Sequence, residues 1–597
     1  MPVIYTANSE HTCYLSTNSK RVQGEMNVKA TQRKNVMLLL LLSASMLAAC
    51  SSQPASNGTQ NAANPSTSNT PPATTSQPAP ANGQPAVGGT LVVGTLSGPD
   101  TLNPLVSNTT PGSWVVNNLY PHLMQMNPSG KKEPYLAESV TTSEDGLTVT
   151  IKLRDGVNWQ DGQPITSEDV AFTGQLLHDK KLQWTAEIFD QVAKVETPDK
   201  LTVVYTLKGP YPAFSGAIGY WVRIVPKHIW EKVDDPKSFE NKEPVGAGPF
   251  KLVAYEKGQY LELAAIDKWF AAPGGRPYLD KVIFKIYPDA NTMTLALQKG
   301  EVDVTSSDLP TSAAKLLATN PSIKVEQTAS LGFAYYSFNT DAAKGVSPTQ
   351  DVNFRQAMAT ATDRNTILNV ALEGAGMQID TPISPLYADW INPEAKAPAY
   401  DSAKAKEILT NAGYSDTDGD GILNAPSSIG GKNVEPEVIY DGANVFHQKV
   451  AKILEKNASD IGVKLVLKPV EYNTLVAKVF NERDFQMHIG KWGVLDEPSE
   501  TFSNLYHSKA KNNMATYTNA EMDRLADGAK YAKTEQIAMD EVKAAQALFI
   551  KEFPVVPIYV QKFNLAYNAD KFGGFTLFPG DLQGLVDPNS LVGVYKK

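Results

Sequence analysis

The sequence predicts an α/β protein of several lobes with added antiparallel parts, and three observations carry that prediction. The chain has 597 residues, 42% apolar and 20% charged, enough for roughly three or four domains with buried cores. Short runs in its first half alternate apolar and polar residues, as half-buried strands do. Capped runs of helical period follow in the second half, without strict strand–helix alternation. Lys and Arg number 54 against 63 Asp and Glu, a formal charge of −9. That balance lacks the concentrated basic surface that phosphate binding needs, so no nucleic-acid partner is expected. Cys13 and Cys50 are the two cysteines, too few for a disulfide framework or a four-thiolate zinc site.

The N-terminal segment speaks to location. Lys29, Arg33 and Lys34 precede an uncharged run of 14 residues, Val36 to Ala49, ending Leu47-Ala48-Ala49-Cys50. A basic flank, a short apolar core and small residues before a cut form a secretory signal, and the run is too short to span a bilayer. Leu-Ala-Ala-Cys resembles the lipobox of bacterial lipoproteins, which implies that Cys50 is lipidated and becomes the mature N-terminus. An ordinary cleaved signal with an incidental cysteine is the alternative. Met26 makes the better start, so residues 1–25 are expected to be an over-extended reading of the gene, and 1–49 to be absent from the mature chain. Removing them takes the formal charge from −9 to −12. Ser51 to Val87 holds no charged residue and no aromatic. Residues 50–88 therefore read as a lipidated cysteine and a flexible tether, which buries too little to offset the entropy of ordering it.

The folded body begins at Gly89. Leu91-Val92-Val93 reads as a buried strand that Gly94 and Gly98-Pro99 stop. Leu147, Val149, Ile151 and Leu153 alternate with Thr148, Thr150 and Lys152, and Leu201, Val203, Tyr205 and Leu207 repeat the pattern. Arg154-Asp155-Gly156 ends the first of these strands in a turn, and Trp159 anchors the turn at Asp161-Gly162. Thr166 or Ser167 caps a helix begun by Glu168-Asp169-Val170. Further on, Asp351 caps a helix carrying Phe354, Ala357, Met358 and Ala361. Asp401 caps another with Ala405, Ile408, Leu409 and Ala412, and Gly413 supplies its left-handed stop. Asp416, Asp418 and Asp420, with Gly419 and Gly421 between and after, resemble a calcium loop, although Ser427 stands where an EF-hand needs glutamate. A structural calcium and a plain turn both remain open there; no other cofactor is expected.

Several segments in fixed order carry a family resemblance. Ala137-Glu138-Ser139, Thr148 through Trp159 and Asp161 through Val170 come first. Val245 through Phe250, Gly300-Glu301-Val302-Asp303, Phe338-Asn339, Asn353 through Ala357 with Asp363-Arg364, and Phe553 through Pro557 follow. Together they resemble the family 5 extracellular solute-binding proteins, the oligopeptide, dipeptide and nickel receptors of ABC importers, from about Gly89 to the C-terminus. The resemblance implies a two-lobed periplasmic-binding-protein-like fold with two crossovers. Lobe I takes residues 89–118, 245–335 and 557–597, with an extra subdomain at 119–244; lobe II takes 336–556.

It also implies site residues. In peptide-binding relatives the region matching Gly490 through Pro498 supplies a tryptophan and an aspartate that pairs with the peptide's α-ammonium group. Trp492 matches the first. Relatives place the aspartate three residues later, where this chain has Leu495, so Asp496 or Glu497 takes that role, with Lys491 beside them; a surface acidic turn before Pro498 is the alternative. The strand Tyr335-Tyr336-Ser337-Phe338-Asn339 lies along the cleft by resemblance, one tyrosine touching ligand and the other in the core, with Asn339 closing the segment. Thr109 and Thr110 match another ligand-facing loop.

The chain has no Gly-x-Ser-x-Gly elbow, His-Glu-x-x-His pair or phosphate-cradling Gly-x-x-x-x-Gly-Lys. Its seven histidines are scattered singly; His122, His178, His228, His447, His488 and His507 would remain after processing, and His488 alone stands near the site segment. The expectation is a binding protein, not an enzyme: a monomer, lipid-anchored on the outer face of the cytoplasmic membrane or in the periplasm. It would capture peptides and deliver them to a permease with its ATPase. A nickel chelate, an oligosaccharide or another small solute in the same fold, or a peptide-sensing surface receptor, are the alternatives.

Overall fold

The computed structural model describes residues 85–580 and 584–597. The expected signal segment, Cys50 and all but the last four residues of the expected tether lie outside them. Among the described residues no helix is long and apolar enough to cross a membrane.

Two hydrophobic cores organise the fold. One gathers Leu91, Val93, Ile151, Tyr205, Phe214, Phe250 and Leu263; the other gathers Tyr336, Phe354, Val438, Leu454, Phe549 and Val556. The first lies under a mixed sheet in which Thr90–Thr95 runs parallel to Lys281–Ile286 and to Val304–Thr305. Tyr260–Ala265 and Phe250–Glu256 extend it antiparallel. Gly94 does not stop the first strand: it pairs with Lys285 on one side and Thr305 on the other, and two ladders hold what one residue's propensity would break. Residues between the helix Thr110–Leu119 and Phe250 build a second, antiparallel sheet in this lobe, Ala137–Thr142, Thr148–Leu153, Thr202–Leu207 and Val192–Asp199 in spatial order. Val149, Ile151, Leu153, Val203, Tyr205 and Leu207 are its buried face, as their alternation requires. Against it packs the helix Ser167–Lys180, whose Asp169 carboxylate accepts from both the backbone N–H and the hydroxyl of Thr166. Gly246-Ala247-Gly248 spends its amides on the end of an earlier helix: Ala247 and Gly248 both donate to Leu119 O.

In the second lobe Ala334–Phe338 lies antiparallel to Met487–Lys491, which continues through Glu437–Asp441 to Val466–Val470. Asp351 accepts from Asn353 N and Asp401 from Lys404 N, each capping its helix, Val352–Thr360 and Ser402–Asn411.

The lobes share one strand. Val555–Asn568 pairs through Tyr559, Val560 and Gln561 with Gly376–Gln378, and through Val555 to Tyr559 with Ala334–Phe338. From Lys562 to Asn568 it pairs instead with Ile323–Ala329 of the first lobe. The chain thus passes between lobes twice, inside this strand and through Ser330–Phe333. By pairing, the whole strand Ala334–Phe338 sides with the second lobe, so a boundary drawn between 335 and 336 cuts through it. The upstream passage is tight. A Cβ on Gly332 would stand 1.8 Å from Gly493 O and 2.1 Å from Trp492 O, both unyielding backbone atoms. Gly332→Ala is therefore expected to lower stability by about 3 kcal/mol, read as a shift of the urea midpoint.

Candidate functional site

The segment after the strand Met487–Lys491 leaves the second lobe's sheet at Trp492, whose amide donates to Phe333 O in the upstream passage. Its indole is 2% exposed, stacked on Tyr335 with ring centroids 6.1 Å apart and edge-on to Phe480. Beneath it, His488 Nδ1 lies 2.7 Å from Ser337 Oγ, and Nε2 lies 3.4 Å from Tyr335 OH. Strand alternation puts Tyr335 and Ser337 on this face, while Tyr336 turns the other way to Thr362, 2.8 Å from its hydroxyl. Both tyrosines are buried, because both faces of the strand are covered. Burial, with His447 and Arg483 nearby, pushes the His488 imidazole down to about 3, so it is neutral. With Ser337 fully buried, the pair is a fixed floor under Trp492 and offers no accessible nucleophile.

Asp496 and Glu497 face the first lobe. Lys132, from the strand Lys132–Pro134, places its Nζ 2.8 Å from Asp496 Oδ2, in contact with Glu497 Oε1, and 3.4 Å from Asp496 O. The same ammonium lies 5.5 Å from the ring centroid of Tyr220. Trp221, ending the helix Ala213–Trp221, donates its indole N–H to Asp496 Oδ2 at 2.8 Å. That helix comes close because Gly216 faces Glu497: a Cβ there would meet Oε1 at 2.5 Å. Beside the cage, Tyr211 donates to Glu500 at 2.5 Å and Lys530 lies 3.7 Å from the same carboxylate. Met126, Tyr220, Leu331 and Val494 form a small apolar cluster from both lobes and the passage between them. The side chains of Lys132, Asp496 and Glu497 are only 11%, 8% and 20% exposed.

Burial raises the Glu497 carboxyl to about 8, Lys132 opposing and Asp496 adding to the rise. Burial alone would lower the Lys132 ammonium, but the two carboxylates outweigh it and hold it above its ordinary value. Chemically the arrangement holds one primary ammonium, that of Lys132, among two carboxyl groups, one carbonyl and an aromatic face.

The remaining sequence candidates fall elsewhere. Thr109 caps the helix Thr110–Leu119, its hydroxyl accepting from Gly112 N and donating to Asp100, and Thr110 opens that helix. Asn339 spends its side chain on the backbone carbonyls of Arg483 and Phe485, and accepts from Asp341 N and Thr516. Lys491 donates to Gln561, where the shared strand changes partners, and lies over Phe563. Asp416, Asp418 and Asp420 are exposed, with carboxylate oxygens within 4.8 Å of one another. They also accept from their own loop's amides, Asp416 from Gly419 and Gly421 and Asp420 from Ile422. Sequence reasoning missed Lys132, Tyr220 and Trp221, which reach the acidic segment across more than 270 residues with no local motif to mark them.

The cage makes a pH prediction. A carboxyl raised by folding keeps its proton after the unfolded chain has lost it, so its contribution to stability falls as pH rises from about 4.5 to about 8. Glu497→Gln cannot ionise and should gain stability relative to the parent across that interval. Urea midpoints of both proteins at about pH 5 and about pH 8 measure it; a constant difference refutes the assignment.

The model of bacterial extracellular solute-binding proteins, family 5 Middle, matches residues 131–513. The oligopeptide-binding protein AppA of Bacillus subtilis is 28% identical over 550 residues, covering 90% of this chain and 95% of its own. The crystal structure of the ABC transporter substrate-binding protein CtaP from Listeria monocytogenes superposes with a TM-score of 0.74 at 27% identity, over 85% of this chain and 99% of that one. AppA of Bacillus subtilis in complex with a nonapeptide superposes with a TM-score of 0.66 at 27% identity, over 86% of this chain and all of that one. The long match to the family model and these two-lobed structures lead to one conclusion: the chain belongs to the family 5 bacterial extracellular solute-binding proteins, which bind and do not catalyse.

Proposed function

We propose that this protein is the substrate-binding component of an ABC importer, that it captures peptides between its lobes, and that closure presents them to a membrane permease and its ATPase. The observation that carries this reading is the buried acid pair Asp496 and Glu497, facing the opposite lobe and built to hold a primary ammonium. The similarity to a nonapeptide-bound relative supports the ligand class. An extended peptide satisfies its backbone by strand-like hydrogen bonds, while its α-ammonium needs a carboxylate once water is excluded. The candidates Trp492, Tyr335, Tyr336, Asn339, Thr109, Thr110 and Lys491 then divide by placement. Trp492 and Tyr335 back the acidic segment, and Tyr336 and Asn339 are spent on scaffold contacts. Thr109, Thr110 and Lys491 are proposed to border the ligand. In the same reading Cys50 carries the lipid anchor, and the mature chain is a monomer held at the outer face of the membrane.

Titration calorimetry with a peptide pool, followed by mass spectrometry of what remains bound, tests the ligand class. Peptides with free amines should bind, N-acetylated ones should bind less well, and the double replacement Asp496→Asn, Glu497→Gln should cost on the order of 2–5 kcal/mol of affinity. Binding of a nickel chelate or a sugar in place of any peptide would reassign the ligand within the same fold.

The Asp416, Asp418 and Asp420 loop is proposed to hold a structural calcium, since its three carboxylates converge. Calcium should then raise the melting temperature above that in chelator. Superimposable melting curves would leave the loop a turn.

A further inference from the structure

The ammonium cage already has an occupant, and it belongs to the protein. A lysine ammonium has three donors and no acceptor. Lys132 finds one acceptor for each: the Asp496 carboxylate, the Glu497 carboxylate and the Asp496 carbonyl, with the Tyr220 ring alongside. A peptide's α-ammonium carries the same three donors and the same charge. The cage therefore accepts one such group at a time, and Lys132 and a ligand's amine are chemically equivalent claimants.

The placement of the two partners adds a mechanical consequence. The acids follow the strand Met487–Lys491 in the second lobe, whereas Lys132 sits on a short hairpin, Met124–Met126 with Lys132–Pro134, that packs on the helix Ala213–Trp221 at the first lobe's side. Every contact Lys132 makes with the acids crosses from lobe to lobe. Burial keeps a proton on Glu497 well above the usual carboxylate range, so one ammonium balances the ionised carboxylate, and a ligand's cation can enter only in exchange for Lys132.

We propose that Lys132 is an internal surrogate ligand: it latches the lobes together in the unliganded protein, and a ligand's own ammonium group must displace it from between Asp496 and Glu497 to bind. The inference rests on the peptide reading above for the identity of the displacing group, but the latch itself does not. Lys132 in this role sets specificity as well as resting conformation. A ligand without an amine leaves the latch in place and gains nothing from the acids. A ligand with one exchanges an intramolecular cation for its own.

The test uses the full mature chain with Lys132→Met, which keeps the apolar stem of the side chain and removes its charge; Lys132→Gln serves as a second variant should the first fold poorly. If the latch holds the unliganded site about nine-tenths of the time, removing it should tighten binding of free-amine peptides about tenfold. N-acetylated versions of the same peptides should show no such gain. Small-angle scattering of the unliganded proteins should give a larger radius of gyration for the variant. Free-amine peptides that bind the parent and bind the variant equally or more weakly would overturn displacement. Should the parent bind no peptide at all, the peptide reading falls and scattering alone decides: equal radii of gyration overturn the latch, and a more open variant supports it.

Discussion

The backbone ladder along Val555–Asn568 is the constraint on which the rest of the structure depends. One strand supplies hydrogen-bond partners to the sheets of both lobes, to Ala334–Phe338 and Gly376–Gln378 in its first half and to Ile323–Ala329 in its second. Two lobes tied this way cannot slide apart, since each unpaired backbone group left buried would cost free energy comparable to a lost hydrogen bond. They can only turn about the two passages, the partner change at Gln561 and Lys562 and the segment Ser330–Phe333. The site is hung from the second of these. Trp492 donates to Phe333 O, and Leu331 joins Val494 in the apolar cluster between the lobes, so any turn at this passage moves the acidic segment with it.

Packing against that passage explains why the floor of the site is rigid. Tyr335, Ser337 and His488 interlock beneath Trp492, and neutral His488 fills its place without a charge to compensate. Tyr211 with Glu500 and Trp221 with Asp496 bring donors from the first lobe to carboxylates of the second. The charged atoms facing the first lobe thus stand on a packed base, an arrangement that in the proposed site would favour discrimination by charge over discrimination by side-chain shape.

What was legible in the sequence follows the range of the interaction concerned. Alternation at Thr148–Leu153 and Thr202–Leu207, and the caps at Asp351 and Asp401, are decided by neighbours within a few residues, and each forms as its pattern requires. Gly94 shows the limit: its local tendency to end a strand yields to parallel partners that lie about 190 and 210 residues away. The acidic segment could be singled out because Trp492, Asp496 and Glu497 sit within six residues of one another. Lys132 could not be, because nothing around Lys131-Lys132-Glu133-Pro134 distinguishes an ion-pairing lysine from a surface one. Nor does the segment Tyr335–Asn339 announce that both faces of the strand Ala334–Phe338 are covered; that depends on the sheet neighbours Met487–Lys491 and Val555–Asn568, fixed only when the lobes assemble.

Water exclusion gives the cage its strength and also its difficulty. The apolar cluster of Met126, Tyr220, Leu331 and Val494 lowers the local dielectric, so a cation between Asp496 and Glu497 is held far more firmly than it would be in solvent. The same cluster makes two adjacent carboxylates costly to bury with nothing between them, and one of them keeps a proton well above the usual carboxylate range for that reason. A binding protein that closed on an empty acid pair would bear that cost in every unliganded encounter. Lys132 removes most of it from within the chain. Because the compensation is intramolecular, the proposed displacement carries a threshold: a ligand's own ammonium, together with its remaining contacts, would have to outcompete a tethered lysine.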